Sequence, residues 1–253
     1  MVIPVHDDNP TRRPGYVTWL LIAVNVVVFV LSPVAMHFVG DTSLKQVCRT
    51  TAFFDHYAAK PDELIHNRQD PPTHIEDPSG RVLCVAAPYH KTPFVSVLTA
   101  MFLHGSWLHL LGNMLFLFVF GNNVEDRLGR VRYLLFYLGI GYAATYGFAL
   151  INSGSVQPLV GASGAIAGVL GGYFVLFPRA RVLSLLTFFF FLPLRLPAWL
   201  VLGSWFVLQY LSLRSNQAGT GSGVAYLAHV IGFVLGAAIC WQVRGDSPQP
   251  ARR

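Results

Sequence analysis

Among the polar residues inside apolar stretches of this chain, four stand out: His109, Asn113, Ser163 and His229. A polar group surrounded by hydrocarbon needs a reason, and function is the default one. Ser163 lies in Gly161-Ala162-Ser163-Gly164, where the glycines let another backbone approach the hydroxyl. His229 lies in Ala228-His229-Val230-Ile231-Gly232. A serine with a histidine to take its proton is the minimum set for acyl transfer. His109 and Asn113 are spaced i, i+4, so they share a helix face. Both donate hydrogen bonds, and donors aimed at a developing oxyanion are what acyl transfer requires. His104, just upstream, reads as a residue that orders the loop rather than one that reacts.

Each residue alone also has a bland reading. A single serine in a membrane helix usually bonds back to a carbonyl one turn earlier. A lone histidine is more often structural, and the His109–Asn113 pair would serve as interhelical glue. A soluble hydrolase elbow would read Gly-x-Ser-x-Gly between a strand and a helix. Ala165 takes the last of those positions and no strand precedes the serine, which excludes that fold.

The elements that carry these residues follow from composition. Of 253 residues, 53% are hydrophobic and only 12% charged, with mean hydropathy +0.50. A soluble domain is roughly 25% charged. Half that supply cannot cover a globule of this size, so an ordinary soluble enzyme and a disordered tail protein are both excluded. An integral membrane protein is favoured, with the lipid bilayer as its solvent. The net charge of +6 reads as a record of topology rather than of nucleic acid. Three cysteines do not make a disulfide scaffold.

Apolar runs cover 16–39, 94–120, 133–151, 159–177, 182–213 and 224–243. The fifth is too long for one span, and Pro193, Arg195 and Pro197 break it. Residues 197–213 read as a span and 182–194 as an interfacial or re-entrant segment, which makes six spans. Gly105-Ser106 reads as a helix start with Ser106 as N-cap. The expected layout is an all-α, polytopic six-helix bundle. A short N-terminal tail (1–15) and a first transmembrane helix (16–39) precede a long outer loop with a membrane-embedded end (40–105). A core of five transmembrane helices (106–243) and a short tail (244–253) follow. Eleven arginines then fall on the inner side, against Arg214 alone in the short outer loops, which places both termini in the cytoplasm.

This topology puts Ser163 and His229 near outer helix starts at similar depth, so they can pair. His109 and Asn113 lie within two turns of the same surface. No aspartate or glutamate lies inside a span, since Glu125 and Asp126 stand at the inner end of the second. The arrangement is therefore a serine–histidine dyad without a carboxylate. Gly168 with Gly172, and Gly232 with Gly236, are small-residue pairs that let helices pack closely.

At this point the chain resembles the rhomboid intramembrane serine proteases, over about Leu98 to Gly236. His104-Gly105-Ser106-Trp107-Leu108-His109-Leu110-Leu111-Gly112-Asn113 is similar to the family's second-helix pattern. Glu125-Asp126-Arg127 is similar to its Glu-x-Arg turn, and Gly161-Ala162-Ser163-Gly164 to its nucleophile motif. Ala228-His229-x-x-Gly232-x-x-x-Gly236 is similar to its base helix. The resemblance implies six transmembrane helices and a catalytic Ser163–His229 dyad in a water-filled cavity open to the outer side. It implies an oxyanion hole of His109, Asn113 and the Ser163 amide. It also implies single-pass transmembrane substrates cut near the outer end of their helix, with no cofactor or metal. The fifth span and the 214–223 loop would act as gate and cap. Two departures stand out. Ala167 occupies a position where some members stack an aromatic on the histidine, leaving another aromatic such as Tyr226 for that role, and the first loop lacks a Trp-Arg pair.

Cys48 and Cys84 share the outer loop and are a candidate disulfide, whereas Cys240 reads as packing. His56, His66, His74 and His90 lack metal-site spacing and read as solvated. Two other functions stay open: a catalytically idle relative that binds membrane clients, and a transporter. The idle relatives typically lack the serine or the histidine, and a transporter needs intramembrane charge or a broken helix at the midplane. The expected location is a prokaryotic plasma membrane, because no organelle-targeting extension precedes the first span.

Overall fold

A computed structural model describes residues 2–39, 43–77, 79–85, 87–186, 192–216 and 225–245. The chain is mostly helical, and six long helices form the body. These are α1 (Tyr16–Leu31), α5 (Trp107–Leu128), α6 (Arg130–Ile151), α7 (Ser163–Leu176), α8 (Ala198–Asn216) and α9 (Tyr226–Gln242). Two of them, α5 and α6, are long and apolar enough to cross a membrane, and α1, α7 and α9 are shorter apolar helices. The outside of the bundle is greasy: Leu20, Leu31, Leu135, Leu150, Val207, Leu211 and Val234 are all half or more exposed. A contiguous apolar exterior of that kind suits lipid and not water.

Helix α7 sits at the centre, with ten of its fourteen residues buried. At 1.5 Å per residue it is roughly 21 Å long, shorter than a hydrocarbon core of about 30 Å. A helix that neighbours surround can be this short, and Ser163 is its first residue. The small residues explain how α7 and α9 lie so close. A Cβ on Gly232 would run into the carbonyl of Gly164, and one on Gly236 into the carbonyl of Gly168. Only hydrogen fits at either position.

The expectation of an all-α chain is corrected in two places. Residues expected to form an interfacial or re-entrant segment instead form an antiparallel hairpin, β4 (Arg181–Leu186) with β5 (Leu192–Pro197). A strand near the start of the chain, β1 (Val2–Asp7), pairs with the free side of β4 to make a sheet ordered β1-β4-β5. Pro4 and Pro193 both lie in the edge strands, where a missing N–H removes no ladder bond. Val182 and Ser184 alternate inward, and Asp7 at the end of β1 accepts from Asn123 near the end of α5. A second small ribbon, β2 (His74–Glu76) with β3 (Val82–Val85), lies in the outer loop.

The first helix also differs from expectation. It stops at Leu31 rather than reaching Val39, because Pro33 follows and the chain tightens into a 3₁₀ turn over Pro33–Val39. The outer loop is itself folded, with α2 (Leu44–Tyr57), α3 (Pro61–His66) and α4 (Pro93–Ala100). Its interior holds the ion pairs Lys60–Asp55 at 2.7 Å and Lys91–Glu63 at 2.5 Å, all four side chains nearly inaccessible. Cys48 is bonded to Cys84, tying α2 to β3. Residues 217–223 of the expected cap loop and 246–253 of the tail lie outside the described residues.

Candidate active site

Ser106 begins the site. Its hydroxyl accepts from the His109 amide at 3.1 Å, the N-cap bond its residue type favours at a helix start. This starts α5 one turn before His109 and aims that residue and Asn113 into an open cavity of about 500 Å³. The Gly105 amide donates to His109 Nδ1 at 3.4 Å. An accepting Nδ1 leaves the ring hydrogen on Nε2, so His109 offers a donor to the cavity. Asn113 Nδ2 lies 3.0 Å from Nε2 of the buried His104. That bond uses one amide hydrogen and leaves the other for the cavity. His104 thus orders the Asn113 side chain.

Opposite α5, the loop from α6 reaches α7 through Gly161, whose φ is +116. A side chain there would be strained, and its Cβ would come within 2.8 Å of the His109 ring. The glycine lets the chain pass against His109 and deliver Ser163 as the first residue of α7. Backbone N–H groups in a first helical turn have no partner one turn back, so the Ser163 amide is available to an anion.

Helix α9 brings the other half. His229 is its fourth residue, and its Nε2 lies 2.8 Å from Ser163 Oγ. Both side chains are half-buried and line the same cavity as His109 and Asn113. On the far side of the ring, Nδ1 lies 2.8 Å from Oε1 of Gln209 on α8. The Tyr226 ring meets His229 edge-on at 6.2 Å, and Trp205 lies 6.1 Å away at 32°. These two aromatics flank the His229 ring, while Ala167 is buried. Gln209 and Trp205 were not singled out from sequence. One signal did exist for Gln209, the lone glutamine in an apolar run, but only the packing of α8 on α9 gives it a partner.

The other residues named from sequence lie elsewhere. Gly164, Gly232 and Gly236 serve the α7–α9 contact, and Cys240 is buried in the core. Among the outer-loop histidines, His66 and His74 sit beside Asp62 and Glu76, and His56 stacks on Tyr57. No cluster with metal-ligand geometry occurs among the described residues. At the inner end, Glu125 accepts from the amides of Val17 and Thr18 and from the Thr18 hydroxyl, at 3.0, 2.7 and 2.8 Å. Arg127 donates to the carbonyls of Val243 and Arg244.

Residues 91–245 match the model of the Rhomboid domain. Over 162 residues the chain is 30% identical to rhomboid protein 1, mitochondrial, of Saccharomyces cerevisiae, covering 61% of this chain and 43% of that protein. It is 28% identical over 165 residues to rhomboid-like protein 11, chloroplastic, of Arabidopsis thaliana, covering 60% and 54%. A rhomboid protein of Bacillus subtilis is 38% identical over 81 residues, 30% of this chain and 38% of that one. The chain spans about half or less of the length of the first two relatives. The expectation of a prokaryotic plasma membrane is overturned here: of these three, the two that match over most of the chain are organellar proteins by name. That expectation leaned on the residues before Tyr16, and several of these are engaged in β1 of the sheet. A family model that covers more than half the sequence, together with relatives that carry the same domain, decides the matter: the chain belongs to the rhomboid family.

Proposed function

We propose that this protein is an intramembrane serine endopeptidase that cuts transmembrane substrates near the outer end of their helix. The observation that carries the reading is the 2.8 Å contact between Ser163 Oγ and His229 Nε2, in an open cavity at the starts of α5, α7 and α9. Ser163 is the nucleophile and His229 the base. Nε2 takes the hydroxyl proton as Oγ bonds to the scissile carbonyl carbon, and the carbonyl oxygen becomes an oxyanion. The donors facing that oxygen are His109 Nε2–H, the second Asn113 hydrogen and the Ser163 amide. His229 then hands its proton to the leaving amine as the C–N bond breaks. A water molecule, deprotonated by the same Nε2, hydrolyses the acyl-enzyme, and the proton returns to Oγ.

We read the six long helices as six transmembrane helices, the five from 106 to 243 being the catalytic core. Names of the organellar relatives favour an organellar membrane. Single-pass proteins fit as substrates, because one helix that unwinds locally can present its end to the cavity. The dyad at bonding distance supports catalysis over an idle, client-binding role. Replacement of Ser163 by Ala tests the reading on a reporter transmembrane helix: cleavage vanishes while the protein stays folded, and undiminished cleavage would sink the mechanism.

A further inference from the structure

Helix α8 carries a single glutamine among apolar neighbours. Val207, Leu208, Tyr210 and Leu211 all face outward, about half of each surface exposed, whereas Gln209 is half-buried. Trp205, one turn earlier on the same face, also lies against the His229 ring. The Gln209 Oε1 atom sits 2.8 Å from His229 Nδ1. An amide oxygen has no proton to give, so the hydrogen of this bond belongs to Nδ1. A neutral imidazole protonated at Nδ1 carries its lone pair on Nε2, the atom that faces Ser163 Oγ at 2.8 Å. The amide contact and the serine contact thus call for the same tautomer.

We propose that Gln209 is the positioning residue of the dyad, acting where a carboxylate acts in a Ser-His-Asp triad. Resting on the reading of Ser163 and His229 as the dyad, this adds a third member. Its amide oxygen holds the ring plane, selects the tautomer that can accept the serine proton, and stabilises the imidazolium that forms. A neutral acceptor does this without the cost of stripping a carboxylate of water, so Gln209→Glu keeps the acceptor at the expense of stability rather than of turnover. The competing role is a plain fastening of α8 to α9, which affects stability but not turnover.

The test uses the full chain with a reporter transmembrane helix, and compares Gln209→Leu with Gln209→Glu, which keeps the acceptor. Gln209→Leu lowers kcat about tenfold or more, the worth of one aligned hydrogen bond, with KM within about twofold. Gln209→Glu recovers most of the loss. In histidine-labelled protein, the ¹⁵N shifts show His229 protonated at Nδ1, and Gln209→Leu reduces the share of that tautomer. Wild-type kcat in Gln209→Leu would overturn the proposal. So would equal losses in both variants alongside a lowered Tm, or a native His229 protonated at Nε2. Undiminished cleavage by Ser163→Ala would overturn the dyad instead, whereas the Gln209 variants and the tautomer measurement decide the role of Gln209.

Discussion

The two ends of α5 use polar residues in opposite ways. At the inner end Glu125 is buried and accepts three hydrogen bonds from α1, while Arg127 and Asp126 bind the chain near α9 and α1. At the outer end His109 and Asn113 each make one bond that fixes the side chain and keep a donor turned toward an open cavity. Saturation marks a polar residue that holds the fold together. A held residue with unspent capacity marks one placed for a ligand or a reaction. Sequence type does not separate the two classes, because an asparagine serves each: Asn113 faces the cavity and Asn123 is bonded to Asp7.

Variants that separate stability from turnover would break or sharpen this contrast. The largest effect is expected at Ser163, where Ala removes the nucleophile and cuts kcat by about 10⁴ or more, with Tm unchanged. Next comes Asn113→Ala, which removes one oxyanion donor and lowers kcat by about 10² in steady-state cleavage. Its Tm should stay near that of the native protein. Glu125→Ala behaves in the reverse sense. It leaves three buried donors without an acceptor and destabilises the fold by about 2–3 kcal/mol in denaturant titration, while kcat per folded molecule holds. If Glu125→Ala lowered kcat without lowering stability, the contrast between the ends would be wrong.

The smallest effect concerns the inner sheet. Burial pushes the Asp7 carboxyl up to about 6, and the Tyr173 hydroxyl and the Asn9 amide offset only part of that. A carboxyl raised in the folded state binds its proton more tightly there than in the unfolded chain. Its contribution is therefore complete below about pH 4 and fades as pH rises through 6. Asp7→Asn should remove that part of the pH dependence, so the difference in Tm between the variant and native protein changes between pH 4 and 7. A difference independent of pH would contradict it.

Much of this was readable from sequence, for identifiable reasons. Ser106 as a cap, and His109 with Asn113 on one face, follow from local rules that need no partner helix. The small-residue spacing at Gly232 and Gly236 anticipated tight packing, although not that the facing backbone would be at Gly164 and Gly168. The hairpin of β4 and β5 was hidden because its leucines fit an apolar helix as well as a strand. Gln209 was hidden for another reason. A single polar residue gains meaning from its neighbour in space, and His229 lies twenty positions away on a different helix. Location was misjudged because the residues before α1 serve the fold.

The central claim is that Ser163 is an activated nucleophile, and a fluorophosphonate probe tests it most directly. The account predicts covalent labelling of native protein at Ser163, labelling lost in Ser163→Ala and strongly slowed in His229→Ala. A folded native protein that resists the probe, or one labelled equally after Ser163→Ala, would contradict it.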